Sequence, residues 1–247
     1  MRAPNTDWRV WQDAEVVAKF ADDRRSGILG AAEQLLVLGQ LLPALPEGMM
    51  PRVLDLGCGD GILLETVLHC WPDAQGIALD GSEAMLRRAA ERLAAFAPAV
   101  TFVQADFNMP EWRQGLPFTG FDAIVSGFAI HHSEDEWKRA LYGECFDLLR
   151  PGGVFINVEH VASATPRGED LFERAYALNL VRTRQAQGKE ADFEQVLSEI
   201  HNRLDKSANR LTPVETQLHW LRALGYTDVD CYWKYYELAI LAGYKPG

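Results

Sequence analysis

The sequence predicts an α/β protein with a doubly wound, mostly parallel sheet and an antiparallel hairpin at its C-terminal edge. Short apolar runs alternate with helical stretches from residue 52 to about 160, and two further strand-like runs end the chain. Strands that alternate with helices of this length indicate a parallel sheet with helices on both faces. Ligands in such sheets bind at the carboxyl ends of the strands, so the residues there are the candidates for function.

Five strands and three helices are predicted within this alternating region. The strand-like segments are RVLDLG (52–57), GIALD (76–80), TFVQAD (101–106), FDAIVSGFAI (121–130) and VFINVEHV (154–161). The helical segments are 61–71, which has apolar residues at helical spacing, 82–96 and 133–150. Ser82 is a predicted N-cap, Ser133 and Glu136 have the spacing of a capping box, and Pro151 ends the last helix.

The remaining segments are predicted to complete one domain, 1–247, around a core at 50–160. Residues 1–45 form an amphipathic helical cap, whose apolar side carries Trp8, Trp11, Val16, Val17 and Phe20. The polar helical segment 166–210 follows the fifth strand, so it is a lid over the ligand side. Residues 212–247 form a last helix, capped by Thr212 with Glu215, and the hairpin.

Composition and charge restrict the classes of partner. The chain has 24 Lys+Arg against 35 Asp+Glu, a net charge of −11, which disfavours a nucleic-acid partner. The N-terminus lacks the apolar segment of a signal peptide, and no apolar run reaches membrane-spanning length. The four cysteines are not at zinc spacing. A soluble cytoplasmic protein without a metal site is therefore expected.

The first strand leads into a glycine-rich loop, VLDLGCGDG. Gly57, Gly59 and Gly61 give G-x-G-x-G, and Ile62 stands where a dinucleotide-binding loop has its third glycine. Asp55 precedes the loop, where a carboxylate opposes a pyrophosphate and suits an amine. The loop therefore predicts close approach of the backbone to a ligand other than a pyrophosphate.

Two more acids end the next two strands. Asp80 is placed to accept the hydroxyls of a ribose, and Asp106 is placed to accept the exocyclic amine of an adenine. No cationic residue stands among these strand ends to hold phosphate. The set fits a nucleoside that carries an amino acid and no phosphate.

On these residues the chain resembles the class I S-adenosylmethionine-dependent methyltransferases. The resemblance covers 50–160 and is carried by VLDLGCGDG, IALDGSEAML, QADF, FDAIVSGFAIHH and LLRPGGVFI. It implies a seven-stranded Rossmann-like sheet, S-adenosylmethionine as cofactor and S-adenosylhomocysteine as product. It also implies in-line transfer of a methyl group to a small-molecule acceptor.

The resemblance assigns cofactor-binding roles to residues at the strand ends. It implies that the methionine part is held by Asp55, Gly57, Cys58 and Gly59, the ribose by Asp80 with Gly81, Ser82 and Met85 around it, and the adenine by Asp106 and Phe107. The sulfonium region would be lined by Ser126, Gly127 and Phe128.

A second resemblance, to carboxy-S-adenosylmethionine synthase of tRNA wobble-uridine modification, covers nearly the whole chain. It is carried by VVAKFADDRRSGILG and LTPVETQLHWLRALGYTDVDCYW. That family has a tyrosine in its N-terminal glycine turn, where this chain has Gly30 and Ala31. Its lid arginine for the extra carboxylate aligns with Asn202, one position before Arg203. A non-catalytic cofactor-binding protein is a third hypothesis.

The candidates for acceptor chemistry each have a second interpretation. His131 faces the methyl group as a base, or one histidine of the pair with His132 only packs and bonds to backbone. Glu159 and His160 orient or deprotonate an acceptor, or form a cap or a lid salt bridge. A metal at these residues is the least favoured interpretation.

Two further features also have two interpretations. Arg25, beside Arg24, binds the cofactor carboxylate or an acidic substrate, or belongs to a solvated charge cluster. The aromatic cluster of the hairpin lines an acceptor pocket, or it belongs to the core or to a homodimer contact; its members are Tyr232, Trp233, Tyr235 and Tyr236.

Overall fold

The computed structural model describes residues 27–247. The predicted apolar side of the N-terminal cap (Trp8, Trp11, Val16, Val17 and Phe20) and the paired arginines Arg24 and Arg25 lie outside the described residues. Among residues 27–247 no helix is long and apolar enough to cross a membrane.

The seven strands form one sheet in the order β3-β2-β1-β4-β5-β7-β6. They are β1 (Arg52–Leu56), β2 (Gln75–Asp80), β3 (Val100–Gln104), β4 (Phe121–Gly127), β5 (Leu149–His160), β6 (Thr227–Tyr235) and β7 (Leu238–Tyr244). Strands β1 to β5 pair in parallel, and β7 is antiparallel to both β5 and β6. The predicted fold class, including the C-terminal antiparallel hairpin, is confirmed.

Seven α-helices surround the sheet in the described part of the chain. They are α1 (Ala31–Leu41), α2 (Ile62–Cys70), α3 (Glu83–Arg92), α4 (Asp135–Leu148), α5 (Pro166–Ala186), α6 (Phe193–His201) and α7 (Val214–Ala223). Short 3₁₀ turns cover Ala94–Ala99, Trp112–Gly115, Ile130–His132 and Leu204–Ala208.

Alternate residues of the central strands supply two separate cores, because successive side chains of a strand point to opposite faces. Val53 and Val125 pack with Leu38, Leu64 and Ala89 of α1 to α3. On the other face, Leu54 and Ile124 pack with Tyr142 of α4 and Leu221 of α7. This two-sided packing keeps the carboxyl ends of β1, β2 and β4 at a common edge.

The ends of α4 differ from the prediction. The helix begins at Asp135, and the Ser133 hydroxyl donates to Asn108 Oδ1 at 2.6 Å, so Ser133 is not its N-cap. At the other end Leu149 already pairs with Phe121, and β5 continues through Pro151 with a register shift. A side-chain partner distant in sequence replaces the local cap in the first case, and strand pairing replaces the predicted turn in the second.

Thr212 also has a partner that its local sequence does not suggest. The N-cap of α7 is Pro213, without a side-chain cap. The Thr212 hydroxyl instead donates to Asp135 Oδ1 at 2.5 Å and accepts from Lys138 Nζ at 2.6 Å. The predicted capping box of α7 is therefore wrong.

Helices α5 and α6 lie between β5 and α7 in the chain, where the sequence predicts the helical insertion. Their apolar faces pack on each other and against Leu29 and Leu238 in a cluster separate from the two sheet cores. Since β5 ends at the ligand edge of the sheet, this helix pair adjoins the predicted site.

Candidate functional site

A cavity of about 520 Å³ lies at the carboxyl edge of the sheet. Of the fourteen residues that the sequence assigns to cofactor binding, eleven line it: Asp55, Gly57, Cys58, Gly59, Asp80, Gly81, Met85, Asp106, Phe107, Gly127 and Phe128. Ser82 and Ser126 do not line it, and Arg25 lies outside the described residues. One wall therefore consists of residues from four strand ends that are distant in sequence.

Glycine is required in the loop for close packing against the protein at Gly57 and for space beside the cavity at Gly59. All three of its glycines have positive φ, with values of 71°, 55° and 83° at Gly57, Gly59 and Gly61. A Cβ on Gly57 would collide with Ala129, whereas a Cβ on Gly59 would meet no atom of the described residues 27–247 within 4 Å. Gly59 lines the cavity, so the space beside its α-carbon is part of the ligand volume.

Asp55 is a buried residue of β1 whose side chain reaches the first turn of α2. Its Oδ2 accepts a hydrogen bond from Leu64 N at 3.1 Å. A carboxylate at a helix N-terminus is stabilised by the unpaired N–H groups there. Asp55 therefore supports the helix and also reaches the cavity wall.

Asp80 holds the glycine loop to the end of β2. Its carboxylate accepts hydrogen bonds from Gly59 N at 2.9 Å and from Ser82 N at 2.7 Å. Burial raises the pKa of Asp80, and the backbone N–H groups of Ser82, Gly59 and Gly81 oppose that rise. Ser82 itself caps α3, since its hydroxyl accepts from Met85 N, and the predicted N-cap is confirmed.

Asp106 lies two residues beyond the end of β3, which is shorter than predicted. Its Oδ1 accepts from the backbone and side-chain amides of Asn108, at 2.9 and 3.0 Å. Together with Phe107 it still lines the cavity.

Strand β4 ends three residues earlier than predicted, at Gly127. Phe128 has a φ of 52°, and this left-handed conformation ends the strand at the cavity wall. Ser126 points into the sheet, where its hydroxyl donates to Leu56 O at 2.7 Å. Ser126 does not line the cavity, whereas Gly127 and Phe128 after it do.

Three histidines line the cavity, His131, His132 and His160, and the first and the last are each bonded to a buried glutamate. His131 Nδ1 lies 2.7 Å from Glu159 Oε1, and His160 Nε2 lies 2.9 Å from Glu237 Oε2. The two imidazole rings are 5.6 Å apart. Neither glutamate lines the cavity; Glu159 contacts His131, which does line it.

The two glutamates differ in electrostatic setting. Burial raises the pKa of Glu159, although the backbone N–H of His160 and the charge of Lys138 oppose that rise. Burial also raises the pKa of Glu237, but hydrogen bonds from His160 and Ser163 and the charge of Arg203 outweigh it, so the net shift is downward.

The lid side of the cavity has an aromatic pair and a cation. Phe172 and Tyr176, one turn apart on α5, stack with an interplanar angle of 4°. Arg203 follows α6 and lines the same cavity. These residues and Glu237 were not predicted as site residues, although the i, i+4 pair of aromatic side chains in the lid segment was a usable signal.

Other sequence candidates do not extend the site. Arg92 lines the cavity, contrary to the expected lack of a cation, but it pairs with Asp60 and Glu65 at 2.9 Å each. The hairpin aromatics Tyr232, Trp233, Tyr235 and Tyr236 do not line it, so the acceptor-pocket interpretation is corrected. Within residues 27–247 no three His, Cys, Asp or Glu side chains are grouped to hold a metal ion.

Comparison with known proteins shows what the cofactor-binding region is similar to. Residues 53–153 match the family described as "Methyltransferase domain". This match and the sheet order above are those of a methyltransferase fold.

Two curated relatives match about half of the chain or slightly more. The chain is 36% identical over 129 residues to an uncharacterized methyltransferase of Mycobacterium tuberculosis, covering 51% of this chain and 60% of that protein. It is 33% identical over 145 residues to a trans-aconitate 2-methyltransferase of Azoarcus sp., covering 59% and 49%. The chain thus spans about half to three fifths of the length of these relatives.

Solved structures share the fold over nearly the whole chain. An O-methyltransferase family protein from Burkholderia thailandensis has a TM-score of 0.68 at 16% identity, covering 99% of this chain and 65% of that one. PigF with SAH has a TM-score of 0.61 at 15% identity, covering 97% and 62%.

Proposed function

We propose that this chain is an S-adenosylmethionine-dependent methyltransferase that methylates an oxygen of a small acidic molecule. The observation that carries the proposal is a single cavity, which has strand-end carboxylates on one side and His131 and Arg203 on the other. The carboxylate side suits a cationic sulfonium ligand, and the arginine side suits an anionic acceptor.

The residues present fit the cofactor. The space beside the Gly59 α-carbon, which a Cβ would fill, admits a ligand against the loop backbone. Asp55 would accept the amine of the methionine part, Asp80 the ribose hydroxyls and Asp106 the adenine amine. When bound, S-adenosylmethionine supplies an electrophilic methyl group on a sulfonium.

His131 is the proposed base for an acceptor hydroxyl. Nδ1 pairs with Glu159, and in this proposal Nε2 would take the proton as the methyl group is transferred. Glu159 would stabilise the imidazolium that results. The remaining contribution of the chain is to align the acceptor and to keep water out.

The 166–210 segment is the proposed lid. Phe172 and Tyr176 would pack on the acceptor, and Arg203 would pair with its carboxylate in forked geometry. In the domain organisation we propose, residues 1–45 cap the 50–160 core and 212–247 complete the single domain. The trans-aconitate 2-methyltransferase of Azoarcus sp. is named for an acidic substrate, which supports this choice of acceptor class.

Calorimetry with S-adenosylhomocysteine tests the cofactor assignment. Asp80→Ala is expected to weaken binding strongly, whereas Asp73→Ala, at an exposed aspartate, serves as the matched control. Radiolabelled S-adenosylmethionine with a panel of small carboxylic acids then tests methyl transfer. The absence of any binding by the wild-type chain would refute the proposal.

A carboxy-S-adenosylmethionine synthase-like activity is the second candidate. The observation that favours it is the position of Arg203 at the cavity wall, next to Asn202, which bonds back to Ser198 instead. Mass spectrometry of the co-purifying ligand separates the candidates, because a carboxylated cofactor is heavier than S-adenosylmethionine. Cofactor binding without turnover of any acid in the panel would favour a non-catalytic protein.

A further inference from the structure

A row of buried polar side chains lies behind Glu159, away from the cavity. Asn157 Nδ2 is 3.3 Å from Glu159 Oε2 and 3.1 Å from the Tyr142 hydroxyl oxygen. The Tyr142 hydroxyl lies 2.6 Å from Gln217 Oε1, and Gln217 Nε2 lies 2.9 Å from Thr212 O. The proposed transfer reaction makes no direct use of these side chains.

The direction of the hydrogen bonds in this row is determined by its ends. Gln217 Nε2 must donate to the Thr212 carbonyl, so Gln217 Oε1 accepts from Tyr142, and the Tyr142 oxygen accepts from Asn157. Asn157 therefore presents an N–H to Glu159. This favours the carboxylate form of Glu159 over the acid, because an ionised carboxyl only accepts hydrogen bonds. An amide does not pass protons on, so the row orients groups and is not a proton wire.

Lys138 supports the Glu159–His131 pair from a second direction, through the backbone of His131. Its side chain is 1% exposed, and Nζ bonds to Thr212 Oγ1, to Asp135 Oδ1 at 3.1 Å and to Arg210 O. The backbone N–H of Arg210 in turn donates to His131 O at 2.7 Å. Lys138 thus anchors the segment that holds the backbone of His131.

We propose that Asn157, Tyr142 and Lys138 are positioning residues, which hold the Glu159 carboxylate against His131 Nδ1 and so place the ring proton on Nδ1. The proposal rests on the role of His131 in the proposed function. None of the three lines the cavity, so they act through Glu159 and through the backbone at His131.

The consequence concerns which group of the Glu159–His131 pair holds a proton. Burial raises the pKa of Glu159, and the N–H groups and the ammonium around it oppose that effect. Without these N–H groups and the ammonium, Glu159 would remain protonated and donate its proton in a hydrogen bond to His131 Nδ1. The neutral ring would then carry its single N–H proton on Nε2. The titratable and charged groups that face the pair are His132, His160, Lys138, Tyr142 and, at the cavity wall, Arg203.

Nitrogen-15 NMR of the histidine-labelled full chain at about pH 8, where a neutral imidazole is favoured, reads this tautomer directly. The ring-nitrogen signals that are present in the wild-type spectrum and missing in that of His131→Gln belong to His131. The wild-type ring is expected to carry its proton on Nδ1. In Asn157→Leu the major form is expected to carry it on Nε2, with a smaller change in the same direction in Tyr142→Phe.

Tyr226→Phe is the matched control. Tyr226 is also buried, and its hydroxyl donates to the Tyr142 carbonyl without joining the row. It is expected to keep the wild-type tautomer. An Nδ1–H ring in Asn157→Leu, or an equal change in Tyr226→Phe, would overturn the proposal.

Cofactor affinity separates this test from the proposed function. S-adenosylhomocysteine should bind the Asn157 and Tyr142 variants within about twofold of wild type, since no residue of the row touches the cavity. If Asn157→Leu does not fold, Asn157→Ser gives the same comparison. A failure of the wild-type chain to bind S-adenosylhomocysteine overturns the proposed function and leaves the tautomer result interpretable.

A rate measurement with an acid from the panel adds a second readout. Asn157→Leu is expected to lower kcat by roughly 10- to 100-fold without changing KM for S-adenosylmethionine, since loss of a base costs about 10²- to 10⁴-fold. The loss should shrink as the pH rises, because Glu159 then ionises without its supporting donors. A loss that is independent of pH would indicate a structural effect and contradict the positioning role.

Discussion

Replacing Gly59 with alanine tests the placement of the ligand against the loop. The change adds one methyl group at an α-carbon with φ 55°, beside which no atom of residues 27–247 lies within 4 Å. This part of the chain therefore has room for the methyl group, and a bound ligand would compete for that space.

Two magnitudes follow from this geometry. The left-handed conformation costs an alanine roughly 1–2 kcal/mol in stability, which lowers Tm by about 2–8 °C in a chain of this size. Forcing a methyl group into a well-packed contact costs about 1–3 kcal/mol, so S-adenosylhomocysteine should bind roughly 5- to 150-fold more weakly. The second effect appears only if the ligand packs on this backbone.

Gly152→Ala separates the two effects. Gly152 has a φ of 80° and also no atom within 4 Å of a Cβ, but it lies in an exposed segment at the start of β5 and does not line the cavity. Thermal unfolding should shift to a similar extent in both variants, while isothermal titration with S-adenosylhomocysteine should weaken only in Gly59→Ala. Equal affinities in the two variants would refute the placement of the cofactor beside the loop.

Three further predictions concern ionisable groups of the site. Asp80→Asn removes the charge that would receive the ribose hydroxyls and is expected to weaken S-adenosylhomocysteine binding roughly tenfold, since a bond to a charged group contributes about 1.5 kcal/mol or more; an unchanged calorimetric affinity would contradict that role. Because burial raises the pKa of Glu159 above its usual 4.5, the folded chain binds more protons than the unfolded chain above that pH. Urea unfolding should therefore show wild type losing stability relative to Glu159→Gln as the pH rises from about 5 to 8, and parallel curves would count against it. Burial and two nearby aspartates raise the pKa of the Cys58 thiol well above 9.0, so iodoacetamide at neutral pH should label exposed Cys70 first, as peptide mass spectrometry would show; faster labelling of Cys58 would contradict this.

The sheet and the cofactor wall could be predicted because their signals are local. Runs such as VLDL and GIALD alternate with helical segments, and parallel strands bring their carboxyl ends to one edge regardless of loop details. Asp55, Asp80 and Asp106 were predicted on one site for this reason, and all three line the cavity. Which of Ser126 and Gly127 lines the cavity could not be predicted, because a shift of one residue in a strand reverses the face.

The helix caps show what a local pattern misses. Ser133 and Thr212 both have the sequence context of an N-cap, yet their hydroxyls bond to Asn108 and to Asp135 and Lys138. These partners lie 25 to 77 positions away in the chain. A hydroxyl that finds a buried partner gains more than one that caps an exposed helix end, and the sequence does not display that competition.

The pKa values of Glu159 and Glu237 are shifted in opposite directions, so their partners His131 and His160 are expected to have different roles. Glu237 has a lowered pKa, so it is held as a carboxylate and keeps His160 Nε2 occupied in a stable hydrogen bond. Glu159 has a raised pKa, so small changes in its donors decide whether the proton lies on it or on the ring. Groups whose pKa values are pushed apart commonly take different roles in acid–base catalysis. His160 is therefore expected to orient the acceptor and His131 to take the proton, which makes the donors behind Glu159 the part of the site where rate and pH dependence are set.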